Sequence, residues 1–301
     1  MNATGRRTAK PQPESDSRAM NTPNAPLTVG AAPNPLDGEL EPLLREPLAS
    51  AWATLEAAPA AIAAGVRGRL LERLVTSRAE SCPMFTARRA RLQPQALARG
   101  VRQRLLYAAD PTRPARPGEP LLARLIELDA GSLWPGPQAG VHREWLVLEG
   151  VIQLGSRRLA LRDYHVDPAG SAADPIGSEE GALVFLRESG PTASAAQTPL
   201  TVRDKDAGWP DFASGIQRRV LWQDQGQAAL LYYAQPGARI PEHRHGHDEE
   251  CLMVQGELFL DDVLLQPGDY QLAPAGTRHR ITETDTGVVI YAHGDLELDF
   301  V

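Results

Sequence analysis

One stretch of this chain is written twice. Residues 131–186 align without a gap on 237–292, pairing Gly131 with Gly237, Pro135 with Pro241, Gly140 with Gly246, Glu144 with Glu250 and Gly150 with Gly256. Farther on, Asp163-Tyr164 answers Asp269-Tyr270, Pro168-Ala169-Gly170 answers Pro274-Ala275-Gly276, and Gly181 answers Gly287. Glycine and proline recurring in one order mean that one set of turns is built twice. Upstream, Gly100-Val-Arg-Gln-Arg-Leu-Leu-Tyr107 resembles Gly215-Ile-Gln-Arg-Arg-Val-Leu-Trp222, an alternating strand opener for each copy. The first copy then carries extra residues, including Pro111 to Pro120, which read as a longer Pro-rich hairpin loop. Short runs such as Trp145 to Leu148, Ala182 to Leu186, Ala228 to Tyr233 and Gly287 to Ala292 are bounded by Gly and Pro. Their close spacing and two-layer alternation predict a jelly-roll-like barrel in each copy rather than a βαβ sheet.

The copies differ in chemistry. The second contains Gly237-x5-His243-x-His245-x3-Glu249-x6-Gly256, then Gly268-x5-Pro274-x-Gly276-x2-His279. His243 and His245 are two apart and project from one face of a strand, Glu249 begins the next strand, and the Pro-x-Gly turn returns His279 to the same pocket. Between the blocks, Leu258 to Leu265 reads as a hairpin turning at Asp261-Asp262. Three imidazoles and one carboxylate converging on a point form a site for one divalent transition metal ion, zinc first, with iron, manganese or nickel as the other ions that suit it. The first copy has Pro137, Ala139, Arg143 and Ala173 at those four positions and Trp145 where the second has Cys251; its second block has Arg162 for the leading glycine. That barrel is expected to be structural and empty, with Trp145 filling its pocket and His142 and His165 as non-ligands. Cys251 and Met253 share the face of Glu249, and alternation puts Ile281 beside His279. Glu250 then points away, as a group behind the ligands or on the surface; Arg278, Arg280 and Glu283 flank the last ligand, and His247 reads as solvated.

The two blocks resemble the paired motifs of the cupin family. That resemblance covers about two thirds of the chain and implies a mainly β fold of two tandem cupin barrels (double-stranded β-helix jelly rolls), preceded by a small helical segment and a disordered N-terminal tail. More narrowly, Asp163-Tyr-His-Val-x-Pro-Ala-Gly-Ser171, Ser178-Glu-Glu-Gly181 and the Glu249-Glu250 pair resemble the cupin module of ChrR-type anti-sigma factors. In that family the cupin holds zinc through three His and one Glu and senses singlet oxygen or organic peroxide, which implies His243, His245, Glu249 and His279 as the ligands here. The family's N-terminal His-x3-Cys-x2-Cys zinc motif is absent, the helical region offering only Cys82, and Glu283 stands where the family has a closing Asn.

Residues 1–36, rich in Pro, Asn, Ala, Ser and Thr, are expected to be a disordered tail. Residues 37–98 are expected to be helical, because Pro59 to Arg78 places Ile62, Val66, Leu70, Leu71, Leu74 and Val75 on one stripe. The degenerate barrel then spans 99–200 and the metal-binding barrel 201–301. A net charge of −7 excludes a nonspecific nucleic-acid binder, and no apolar run has the length of a membrane span. Two distant cysteines, Cys82 and Cys251, make no disulfide framework and fit a reducing cytoplasm. The expected partners are a small molecule or oxidant in the second barrel, a protein such as a sigma factor on the helical segment, and a second copy through exposed barrel edges. Two functions follow: a regulatory or sensory bicupin, or a metal-dependent dioxygenase acting on a small aromatic or diketone substrate.

Overall fold

The computed structural model describes Arg69 and residues 84–301, apart from 115, 138–139 and 191–197. The tail and, save for helical Arg69, the apolar stripe of Pro59 to Arg78 lie outside the described residues. The rest is almost entirely antiparallel β-structure.

Each copy builds one large sheet, and the two sheets have equivalent strand orders. In the first the order runs Leu200–Val202, Tyr164–Asp167, His142–Leu154, Ala182–Ser189, Pro120–Leu128, Val101–Ala108, Gln95–Ala98. In the second it runs Phe85–Ala87, Tyr270–Ala273, Glu249–Gly256, Val288–Asp295, Gln227–Ala234, Ile216–Asp224, Asp211–Ala213. The repeated glycines explain themselves in this frame. A Cβ on Gly150 would collide with the carbonyl oxygen of Gly181, and one on Gly256 with that of Gly287, so each copy keeps the same two chains pinched together.

The edge strands overturn two expectations. Phe85–Ala87 and Gln95–Ala98 are strands within the segment expected to be helical, because Phe85 to Ala87 find partners at Leu272 to Tyr270 in the second copy's sheet. Reciprocally, Leu200 to Val202, running into the second copy, pair with Val166 to Tyr164 of the first. The copies therefore exchange their leading strands, and the barrels do not divide cleanly at residues 200 and 201. The same lock holds both: Arg88 bonds Asp269 at 2.8 Å and Arg203 bonds Asp163 at 2.8 Å, while the amides of Arg89 and Asp204 each donate to the same carboxylates at 2.9 Å.

Strand alternation produces three apolar layers. Trp134, Trp145, Val147, Leu154 and Ile176 fill the first barrel. Cys251, Met253, Leu258, Leu260 and Ile290 line the second. Between them Leu146, Tyr164 and Phe185 pack on Leu252, Tyr270 and Tyr291. This middle layer hides a polar core: Arg187 bonds Glu144 at 2.8 Å and also Glu250, Tyr164 and Tyr291 donate to Glu144 at 2.6 and 2.8 Å, and Tyr270 donates to Glu250 at 2.7 Å. Glu250 is thus a fully buried group joining the barrels, which corrects its reading as a surface or ligand-backing residue.

Candidate metal centre

Antiparallel pairing of His243–Arg244 with Arg278–His279 sets His243 opposite His279, and facing positions in such a pair turn their side chains to one side. The two motif loops also clasp each other: the amide of His245 donates to Thr277 at 3.0 Å and that of Gly276 donates back to His245 at 2.7 Å. Glu249 opens the neighbouring strand, opposite Ala273.

The four side chains singled out by spacing come together. Ligand atoms of His243, His245 and Glu249 lie within 4.8 Å of one another, with His245 Nε2 2.9 Å from Glu249 Oε2. His279 stands at the edge of this trio, its Nε2 3.8 Å from Glu249 Oε2 and its ring centroid 4.8 Å from that of His245 and 5.8 Å from that of His243. All three imidazoles are buried.

Each ring is held from behind. Nδ1 meets the Pro241 carbonyl at 3.0 Å in His243, Thr277 Oγ1 at 2.9 Å in His245 and Asp261 Oδ2 at 3.2 Å in His279. Thr277 spends its own proton on the Pro274 carbonyl at 2.6 Å, so toward His245 it accepts. All three partners call for a proton on Nδ1 and leave Nε2 facing inward, the arrangement that orients metal-binding histidines. His245 Nε2 is buried, and what it faces is the Glu249 carboxylate at 2.9 Å, at an angle that does not satisfy it as a hydrogen-bonding atom.

The charges ask for a cation at the same point. Burial alone would raise Glu249, but the imidazoles of His245, His279 and His243 override it and hold this carboxyl at about 2. Burial lowers His243, whereas His245 is raised because Glu249 outweighs its desolvation. A carboxylate and three inward nitrogens in a dry pocket suit one divalent ion, which would act there as a Lewis acid. Thr277→Val keeps the shape and removes the acceptor behind His245; metal affinity is expected to fall about 10- to 100-fold, measured by competition with a chelator.

A cavity of about 60 Å³ adjoins these ligands, walled by Ile216, Leu258, Leu260, Val288 and Ile290, with Tyr232, Cys251, Thr282 and Thr284 as its hydrogen-bonding members besides the ligands and Arg239. Thr282 and Thr284 stand where alternation had pointed to Ile281, whose amide is bound instead by Asp261. Met253 sits in the barrel interior outside the cavity wall. Burial, with Glu249 and Glu250 beyond it, drives the Cys251 thiol well above its usual range, so it stays a neutral thiol.

Residues 197–297 match the family described as ChrR Cupin-like domain. The second barrel is thus similar to a ChrR cupin-like domain over nearly its whole length. No curated protein matches the chain. Solved structures show the fold across both barrels. An Escherichia coli protein, Ylba, has a TM-score of 0.56 at 13% identity over 71% of this chain and 93% of that one. A Nostoc punctiforme protein given provisionally as a dioxygenase has 0.55 at 18% over 72% and 82%. Bacillus subtilis oxalate decarboxylase, in a single-residue mutant form, has 0.52 at 14% over 70% and 77%.

In the first barrel other side chains occupy the equivalent places. Arg143, in the place of Glu249, is 1% exposed and gives Nη2 to the carbonyls of Ser171 and Ala172 at 3.3 and 2.9 Å. Trp145, in the place of Cys251, donates to Asp167 at 2.9 Å. His165 bonds Thr201 and Asp167, and His142 lies in the interface 3.7 Å from Glu144. Ala139 lies outside the described residues. In the ChrR-like barrel the flanking residues pair off: Arg278 with Glu242 at 2.8 Å, Arg239 with Glu283 at 3.1 Å, and His247 with Asp295. Sequence reasoning missed Asp261 and Thr277 behind the ligands. Thr277 was open to view, since it sits inside the Pro-x-Gly-x2-His block.

Proposed function

We propose that the second barrel is a single-metal sensor of a small, uncharged oxidant, the ion held by His243, His245, Glu249 and His279, with the first barrel as its scaffold. The cavity carries this reading. Its charged members beyond the ligands reduce to Arg239, exposed at the rim and paired with Glu283, so apart from the ion itself its interior offers no cation to help hold an anionic acid of the oxalate type. At about 60 Å³ it is also smaller than the roughly 150 Å³ in which a buried benzene is held. A hydroperoxide, one apolar group and two oxygens, fits those walls, and the ChrR-type match supports the same class of signal. The output proposed for this reading is a protein partner such as a sigma factor on the N-terminal segment.

The dioxygenase reading shares the ligand set and differs in the ion. Three His and one Glu close a tetrahedral zinc site but leave positions free on iron, manganese or nickel. Elemental analysis of the protein purified without added metal under low oxygen is expected to return one equivalent of zinc per chain. An organic hydroperoxide added next is expected to oxidise the adjoining Cys251 thiol to the sulfenic acid, itself leaving as the alcohol, and so to release the zinc, followed with a colorimetric chelator. One equivalent of iron, manganese or nickel with sustained oxygen uptake would replace the sensor with the enzyme, and two equivalents would contradict a closed first barrel.

A further inference from the structure

Residues 296–301 run past the metal cavity and give Leu298 to its wall. The amide of Leu296 donates to Gly226 at 2.8 Å, and Arg218 holds this segment from the side, donating to the Leu296 carbonyl at 2.7 Å and to Glu297 at 3.3 Å. Asp299–Phe300 then pairs with His243–Arg244, putting Phe300 opposite the ligand His243 with ring centroids 6.5 Å apart. The amide of Val301 donates to Glu242 at 3.1 Å. Between these ties Leu298 lines the cavity while remaining partly open to solvent, as Ile240 does, whereas Leu258, Leu260 and Val288 deeper in are buried.

We propose that this strap is the gate of the metal cavity and that Leu298 is its specificity-determining side chain. The proposal rests on the metal reading of the same site. Leu298 is an apolar plug in the rim of an apolar cavity, so its size sets the cross-section of what passes. The strap is also suited to yield: its strand is two residues long, Phe300 and Val301 are 51% and 65% exposed, and it is held by main-chain bonds and one arginine rather than by packing. Segments with few buried contacts open at low cost. Because the strap is hydrogen-bonded to the strand of His243, it can part from the rim at Leu298 while that ligand stays tied to His279 across the strand pair.

The test uses the full chain loaded with cobalt(II), whose visible spectrum reports coordination, and two probes with one metal-binding head, acetohydroxamate and the bulkier isobutyrohydroxamate. Leu298→Ala is expected to raise the association rate of isobutyrohydroxamate about tenfold while changing that of acetohydroxamate by less than about twofold, the scale on which a few methylenes discriminate ligands. Leu298→Trp is expected to slow both probes by about tenfold or more, isobutyrohydroxamate the more strongly. An intact cobalt spectrum with the same ratio of the two rates in wild type and both variants would overturn the gate alone. Failure of the wild-type chain to bind cobalt would overturn the metal reading beneath it, and the gate with it.

Discussion

His279→Ala is expected to strip most bound metal from the second barrel and leave the barrel folded. His279 stands opposite His243, its Nε2 3.8 Å from Glu249 Oε2 and its Nδ1 anchored on Asp261. Removing this imidazole deletes one of four donors, so the loss should exceed the 10- to 100-fold or so that follows from loss of an outer partner. The fold should survive because His279 lies in a two-residue strand and belongs to none of the three apolar layers. The measurement is metal per chain by elemental analysis, with circular dichroism as the check on folding; full occupancy in the folded variant would remove His279 from the ligand set. Acid should mimic the variant in wild type. Protons compete with the ion for imidazole nitrogens, so affinity is expected to fall as pH drops through the histidine range of about 6 to 7. Glu249, held at about 2, stays charged across that window, and the loss therefore reports the imidazoles.

How much was legible follows from which residues carry their reason locally. His243, His245, Glu249 and His279 sit at spacings that a strand, a turn and a hairpin convert directly into one face; the structure gathers the first three within 4.8 Å of one another and sets His279 beside them, its Nε2 3.8 Å from Glu249. The change in the first barrel was legible at the same positions, since Arg143 and Trp145, both buried, stand where Glu249 and Cys251 stand in the second copy. The exchanged strands were not legible, because Phe85-Thr-Ala87 has no pattern of its own and becomes a strand only through Tyr270 to Leu272. Asp261 read as a hairpin turn residue, which it is, at φ 54° between strands paired Leu260 to Val263. That it also anchors His279 depends on a second chain segment that spacing does not locate. Arg187 was hidden by a general rule: a charged residue in a strand is usually a solvated one. The repeat held the clue, since Glu144 and Glu250 are one position written twice, kept where the metal ligands of one copy were lost.

Arg187→Met is expected to cost about 3–5 kcal/mol of stability at neutral pH, as removing one member of a buried ion pair does. Arg187 is fully buried and bonds both Glu144 and Glu250, with a further bond at 2.7 Å to the Gly118 carbonyl. Burial would raise the Glu144 carboxyl, yet His293, 3.4 Å away, and Arg187 hold it well below its usual range. The tyrosines that donate to these carboxylates are pushed the other way, burial first and the carboxylates second, and remain neutral donors. Without Arg187 two carboxylates are left in the layer between the barrels, Glu144 with His142 and His293 as its imidazole neighbours. A barrel pair of this size should lose on the order of 10 °C in Tm. The sign of the pH response follows from Glu144, whose carboxyl is depressed in the folded state: the stability it contributes to wild type is present above the usual carboxylate value of about 4.3 and is lost as pH falls through the depressed one. Thermal melts of both proteins at pH 8 lie above that titration and therefore report the loss of Arg187 itself. Combining Arg187→Met with Glu144→Gln and Glu250→Gln removes the stranded charges and should recover most of the loss, because a buried ion pair exchanged for neutral groups is often nearly neutral in energy. A single variant as stable as wild type at pH 8 would show that the two barrels are joined by their apolar layer alone.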